Sequence, residues 1–225
     1  IKKLGSLSFS KNWQLPPTNI APFTSAISLD CGWLWLAYIC NKSENPDDKT
    51  LFSQLTINKK TPLAKNKLAI VTYIKQTLSS LTPETQKFAT LINDTDINDL
   101  PFARDSSSKR ANELVADNYI RIGDAAMAVD PLSGNGIFQS VSSALSAPMV
   151  INTLINKPQN ALLAKAFYEA RISHLFERFC RMGRDFYQME LRWAKEPFWQ
   201  ERAKWPDMIP AHNSNNDEVI EVSQR

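Results

Sequence analysis

The sequence predicts a mixed α and β chain, with an antiparallel sheet first, long helices after it, and one glycine-rich strand, turn and helix passage between them. Three observations carry that prediction. Apolar residues alternate with polar ones before residue 58, the apolar spacing becomes helical after Pro62, and a run from Gly123 to Gly136 separates an apolar strand from an apolar helix. A hydrophobic fraction of 43% in 225 residues is enough for one sizeable core or two smaller ones, and a charged fraction of 22% excludes disordered chain as the main content.

Each element follows from local pattern. Leu7 and Phe9 alternate with serines, and Phe23 to Leu29 leads into a turn at Asp30, Cys31 and Gly32. Trp33 to Ile39 then returns as an apolar strand, Asn41 to Lys49 reads as a polar loop, and Leu51, Leu55 and Ile57 mark one more strand. Pro62 starts a mostly helical stretch with Leu68, Val71, Ile74 and Leu78 on one face, and Pro83 opens a second helix ending near Asn93. Residues 94 to 113 read as a polar connector. An apolar strand ends on Gly123 and Asp124, the helix after Gly136 is closed by Lys157 and Pro158, and a long amphipathic helix runs from about Ala161 to Ala194. The expected organisation is 1–101 as a substrate-side sheet with helices, 102–158 as a ligand-binding strand and helix, and 159–225 as a helical region and tail.

Composition narrows the partners. The net charge of +3 comes from scattered basic residues and predicts no nucleic-acid partner. Cys31, Cys40 and Cys180 are odd in number, lack close metal-ligand spacing and come without a signal pattern, so reduced thiols in a cytoplasm are expected. His174 and His212 lie far apart, and no metal site is predicted. No apolar run reaches the ~18 residues that span a bilayer.

The chemistry is concentrated in one run, Gly123-Asp124-Ala125-Ala126-Met127 through Pro131, Gly134, Asn135 and Gly136. A carboxylate at a strand end accepts hydrogen bonds from a polyol, and the unpaired N–H groups of a helix start favour negative charge. Gly134 and Gly136 lack Cβ and let backbone approach a flat ligand. The bland alternative is a strand, turn and helix holding no ligand.

This run resembles the second flavin motif of the FAD-dependent aromatic hydroxylases and flavin-dependent halogenases, whose form is Gly-Asp-Ala-Ala-His, then Pro, then Gly-x-Gly. Gly123, Asp124, Ala125, Ala126, Pro131, Gly134 and Gly136 match, while Met127 stands where the hydroxylases often carry His. The resemblance implies the C-terminal part of a p-hydroxybenzoate-hydroxylase-like FAD fold, with a substrate-domain β-sheet, a flavin-domain strand and helix, and a helical C-terminal region. It implies that Gly123 and Asp124 lie at the ribityl chain of FAD, and that Pro131, Gly134, Asn135 and Gly136 lie beside the flavin ring. The Gly-x-Gly-x-x-Gly of a dinucleotide-binding start is missing, so the chain is expected to be the C-terminal half of a longer flavoprotein.

A second resemblance lies in Gly32-Trp33-Leu34-Trp35-Leu36-Ala37-Tyr38. Flavin-dependent halogenases carry Trp-x-Trp-x-Ile-Pro on a strand near the flavin, and this chain keeps the tryptophans but has Ala37 and Tyr38 in place of Ile-Pro. Trp33 and Trp35 share a strand face and either wall an aromatic substrate pocket or fill an ordinary core. The long helix interleaves Phe167, Tyr168, Phe176, Phe179, Phe186 and Tyr187 with five arginines, which reads as core packing or, alternatively, as an aromatic face across a substrate opening.

Together these features resemble a subgroup of halogenase relatives that modify aromatic residues of partner proteins during maturation of tryptophan-derived quinone cofactors. That resemblance implies an FAD-dependent monooxygenase that hydroxylates an electron-rich aromatic group through a flavin hydroperoxide, a Trp side chain of a partner protein or peptide being the expected substrate and a separate flavin reductase a candidate partner. No residue reads as a convincing catalytic acid or base; Asp130, next to the flavin segment, is a candidate for that role, and a helix-start carboxylate that stabilises the dipole is the expected one. The alternatives are a flavin-dependent halogenase and a non-catalytic partner-binding module.

Overall fold

Alternation along the first strands dictates a sheet with one apolar face, and the computed structural model, which describes residues 5–15, 20–40, 49–92 and 100–206, has that sheet. Strands β1 (Ser6–Leu15), β2 (Phe23–Leu29), β3 (Gly32–Cys40), β4 (Lys49–Asn58) and β5 (Phe102–Asp105) are antiparallel neighbours in the order β2-β3-β4-β1-β5. Phe9 lies opposite Leu55, and Leu55 opposite Leu34, so large apolar side chains stack across three strands on one face. The predicted loop at Asn41 falls, apart from Lys49, outside the described residues, as does His212.

Two helices cover that face. Helix α1 (Lys67–Ser80) follows a 3-10 turn at Pro62–Lys65 and is capped by Asn66, whose side chain accepts from Ala69 N at 3.1 Å. Its buried stripe Ile70, Val71, Ile74, Leu78 keeps helical spacing and joins Phe9, Trp13, Leu34, Leu36, Tyr38 and Leu55 in one core. Helix α2 (Pro83–Leu91) opens with a reciprocal cap between Thr82 and Thr85 and brings Phe88 against Phe23 and Tyr38.

Beyond this layer, a two-stranded ribbon pairs β6 (Lys109–Arg110) with β7 (Met127–Ala128), and helices α3 (Gly136–Asn156), α4 (Ala161–Gln188) and α5 (Pro197–Ala203) follow. Leu114, Val115, Met127, Val150, Tyr168, Ile172, Phe176 and Phe179 form a second core. No helix among the described residues is long and apolar enough to cross a membrane.

Three expectations change. The polar connector contains β5, an edge strand whose residues are all exposed; it carries no buried face to read, and it pairs with β1 through the backbone ladder and through the nearby Ser107, whose Oγ accepts from Ser6 N at 3.0 Å. The apolar strand expected ahead of Gly123 is, among the described residues, a loop with a single bridge between Val115 and Ile120, because no neighbouring strand is present to extend the ladder. Helix α4 stops at Gln188, before the expected Ala194, and the chain turns so that Trp193 donates from Nε1 to Ser28 O at 3.3 Å.

Candidate functional site

The glycine run folds as two short turns packed on α3. Gly123 begins a 3-10 turn at φ +55°, and its N–H donates to Ser143 Oγ at 2.8 Å, while a Cβ there would meet Ser140 Oγ at 3.1 Å. The left-handed conformation therefore favours glycine here, and a side chain would also press on Ser140. The neighbouring Asp124 carboxylate is exposed and has no partner among the described residues.

Pro131–Ser133 forms the second turn. Asp130 caps it, its Oδ1 accepting from Leu132 N at 3.0 Å; the expected place at the start of α3 is taken by Asn135, and Asp130 caps the short turn instead. Gly134 follows in the left-handed region at φ +65°, Asn135 is the N-cap of α3 without a side-chain cap bond, and Gly136 is the first helical residue. A Cβ on Gly134 or Gly136 would meet no heavy atom within 4 Å. Packing among the described residues thus does not require Gly136; within the turn the Gly134 N–H donates to Pro131 O at 3.1 Å and the Asn135 N–H to Ser133 Oγ at 3.4 Å. One turn further, Gln139 is 1% exposed with neither side-chain amide atom bonded, an unmet polar group that a native fold ordinarily satisfies. An open glycine turn, a partnerless carboxylate and an orphaned amide on one helix end fit a polar, flat ligand with anionic character, as FAD is.

Beside this turn lies a cleft of about 410 Å³, lined by Ile27, Ser28, Trp33, Leu132, Phe186 and Trp199 among others. Trp33 reaches it from β3 and is 5% exposed; Trp35, on the same strand face, is 37% exposed and lies outside the lining. Trp33 packs with Tyr187, Phe198 and Trp199 in a third apolar cluster that Leu132 joins from the glycine turn. Of the long helix's aromatic stripe, Tyr168, Phe176, Phe179 and Tyr187 are core, and Phe186 reaches the cleft. At the rim, Glu190 is hydrogen-bonded by Ser28 and Arg192, and Arg192 draws its carboxyl from the ordinary 4.5 down to about 2.

Under the cleft runs a buried polar chain that sequence reasoning missed. The Trp33 Nε1–H donates to the Tyr187 hydroxyl at 3.2 Å, and that hydroxyl lies 3.0 Å from both oxygens of Asp130. Burial pushes Asp130 upward against the lowering pull of the Leu132 N–H and the Arg202 charge, and burial raises Tyr187 still more strongly. Arg202 is 1% exposed, lies 3.6 Å over the Phe198 ring, and donates to Phe198 O and to Ser6 Oγ, tying α5 to β1. The only sequence signal for this chain is a charged residue on a short aromatic helix, and nothing local distinguishes it from a surface arginine.

Comparison with known proteins matches this geometry. The solved structure of QhpG, a peptidyl tryptophan dihydroxylase essential for tryptophylquinone cofactor biogenesis, superposes with a TM-score of 0.75 at 39% identity, covering 91% of this chain and 44% of QhpG. The flavin-dependent halogenase CmlS shares the fold at TM-score 0.64 and 17% identity, covering 90% of this chain and 36% of CmlS. LodB of Marinomonas mediterranea, described as an FAD-dependent oxidoreductase, is 27% identical over 101 residues, 45% of this chain and 26% of LodB. The chain spans less than half the length of these relatives. The tryptophan halogenase family model matches residues 10–214, and the chain belongs to that family.

Proposed function

We propose that this chain is the C-terminal part of an FAD-dependent oxygenase that hydroxylates the indole of a tryptophan presented by a partner protein or peptide. The observation that carries the reading is the juxtaposition of an open glycine turn with an aromatic cleft through Leu132, in a chain 39% identical to a peptidyl tryptophan dihydroxylase. In this reading the domain division is 1–101, 102–158 and 159–225, with β5 lent to the first layer.

Bound FAD, once reduced, supplies activation of dioxygen. The chain's own residues do the rest. Asp124 would hold the ribityl hydroxyls, with Gly123 fixing its turn; the backbone of Gly134, Asn135 and Gly136 would lie at the electron-rich edge of the ring, with the Gly136 N–H presented to it while the Gly134 and Asn135 N–H groups hold the turn through Pro131 O and Ser133 Oγ; Pro131 would shape the wall. Trp33, Leu132, Phe186 and Trp199 enclose the substrate indole and exclude water, with Trp35 at the outer end of the same strand face. The apolar face left by Phe138, Val141, Leu145 and Met149 on α3 supports packing against a further nucleotide-binding half. A separate reductase would supply electrons, and the free thiols of Cys31 and Cys180 suit a cytoplasmic location.

The test is the full-length gene product. It is expected to carry a yellow flavin and to add oxygen to a tryptophan-containing partner peptide, read by mass. Mass gain that depends on chloride or bromide would establish the halogenase alternative, and partner binding by a colourless protein that refuses added FAD would establish the non-catalytic one.

A further inference from the structure

The cleft wall and the glycine turn come from segments about a hundred residues apart, yet one hydroxyl joins them. We infer that Tyr187 is a positioning residue that locks the Trp33 wall of the cleft to the Asp130 turn, holding a bound aromatic ring at a fixed place relative to the ligand at Gly134–Gly136. The inference deepens the function proposed above and takes from it only the occupants of the cleft and the turn.

The hydroxyl has both partners in hydrogen-bond range and no route to water. It accepts from Trp33 at 3.2 Å and donates to Asp130 at 3.0 Å, and Tyr187 is 2% exposed. Asp130 in turn accepts from Leu132 N, and the Leu132 side chain lines the cleft that Trp33 also lines. The chain of contacts therefore starts and ends at the cleft, passing through the residue that sets the turn. The ring of Tyr187 is held independently by edge contacts with Phe198 at 5.9 Å and Trp199 at 5.6 Å, so packing and hydrogen bonding are separable. The hydrogen-bonding links Trp33, Tyr187 and Asp130 are all buried, so loosening one leaves a buried donor or acceptor unmet and displaces its neighbours.

Tyr187→Phe removes the hydroxyl and keeps the ring. The readout is the indole N–H resonance of Trp33 in the full-length protein carrying labelled tryptophan, assigned by Trp33→Phe. The resonance is expected to move upfield in Tyr187→Phe and to shift also in Asp130→Asn, two links away; a resonance unmoved in either variant overturns the lock. In parallel, N-acetyltryptophanamide binding should weaken about tenfold in Tyr187→Phe with FAD content kept, and unchanged binding overturns the positioning role. Failure of the parent protein to bind FAD or N-acetyltryptophanamide would count against the proposed function alone, since the indole resonance reads the lock without either ligand. If Tyr187→Phe does not fold, Asp130→Asn carries the same resonance test.

Discussion

Gly136→Ala should make the free protein slightly more stable and the FAD complex weaker, two effects of opposite sign from one methyl group. Gly136 is the first residue of α3, its φ is not positive, and an added Cβ meets no heavy atom within 4 Å. The substitution therefore introduces no clash and removes unfolded-state freedom, a gain of about 0.5 kcal/mol. A flat ligand lying against the open turn would meet that methyl, and forcing a methyl into a filled contact costs about 1–3 kcal/mol. At about 1.4 kcal/mol per decade, Kd for FAD should rise by roughly 5-fold to 150-fold. Chemical unfolding of the FAD-free protein measures the first effect, and titration with FAD, followed by flavin fluorescence, measures the second. Gly134→Ala is the contrasting variant: φ is +65°, so the left-handed strain of about 1–2 kcal/mol lowers stability as well. An unchanged Kd in Gly136→Ala would refute the argument that a ligand occupies the space in front of this turn.

Asp124→Ala should shift unfolding free energy by less than about 0.5 kcal/mol, since the carboxylate is exposed and has no partner among the described residues, while abolishing flavin retention; retained flavin removes Asp124 from the site. Asp130 gives a pH dependence with a defined sign. Its carboxyl is raised in the folded state, so the protonated form favours the fold, and the contribution is full below the ordinary carboxyl range near 4 and is lost as pH rises through the raised value. The stability of the parent protein relative to Asp130→Asn, from urea unfolding at a series of pH values, should therefore fall with rising pH, and a rise would contradict it. Ile74→Ala, at a site 0% exposed under the far face of the sheet, should cost about 2–5 kcal/mol and leave N-acetyltryptophanamide binding intact below the melting temperature; a shifted affinity would show that the two layers are coupled.

Much of this molecule is legible along the chain. Strand alternation in Leu7 and Phe9, the turn at Asp30 to Gly32, and Val71, Ile74 and Leu78 of the helical stripe are short-range signals, because strand and helix periods place every second or every third to fourth residue on one face; Leu68, read into the same stripe, is exposed, and Ile70 takes its place in the core. The glycine run is local for the same reason: φ at Gly123 and Gly134 is a property of single residues, and the cap at Asp130 spans a few positions. Tertiary structure alone decided the rest. Strand β5 pairs through its backbone and through a Ser107 to Ser6 contact 101 residues apart, and the segment before Gly123, with a single bridge among the described residues, shows that an apolar run becomes a strand only where a neighbour exists to bond it. Trp33 and Trp35 share a strand face in the sequence, yet only the packing of α4 and α5 over that face separates a cleft wall from a half-open side chain. The Trp33, Tyr187, Asp130 chain joins positions up to 154 residues apart, and its strength depends on exclusion of water, which is a property of the assembled core and is not encoded in any local pattern.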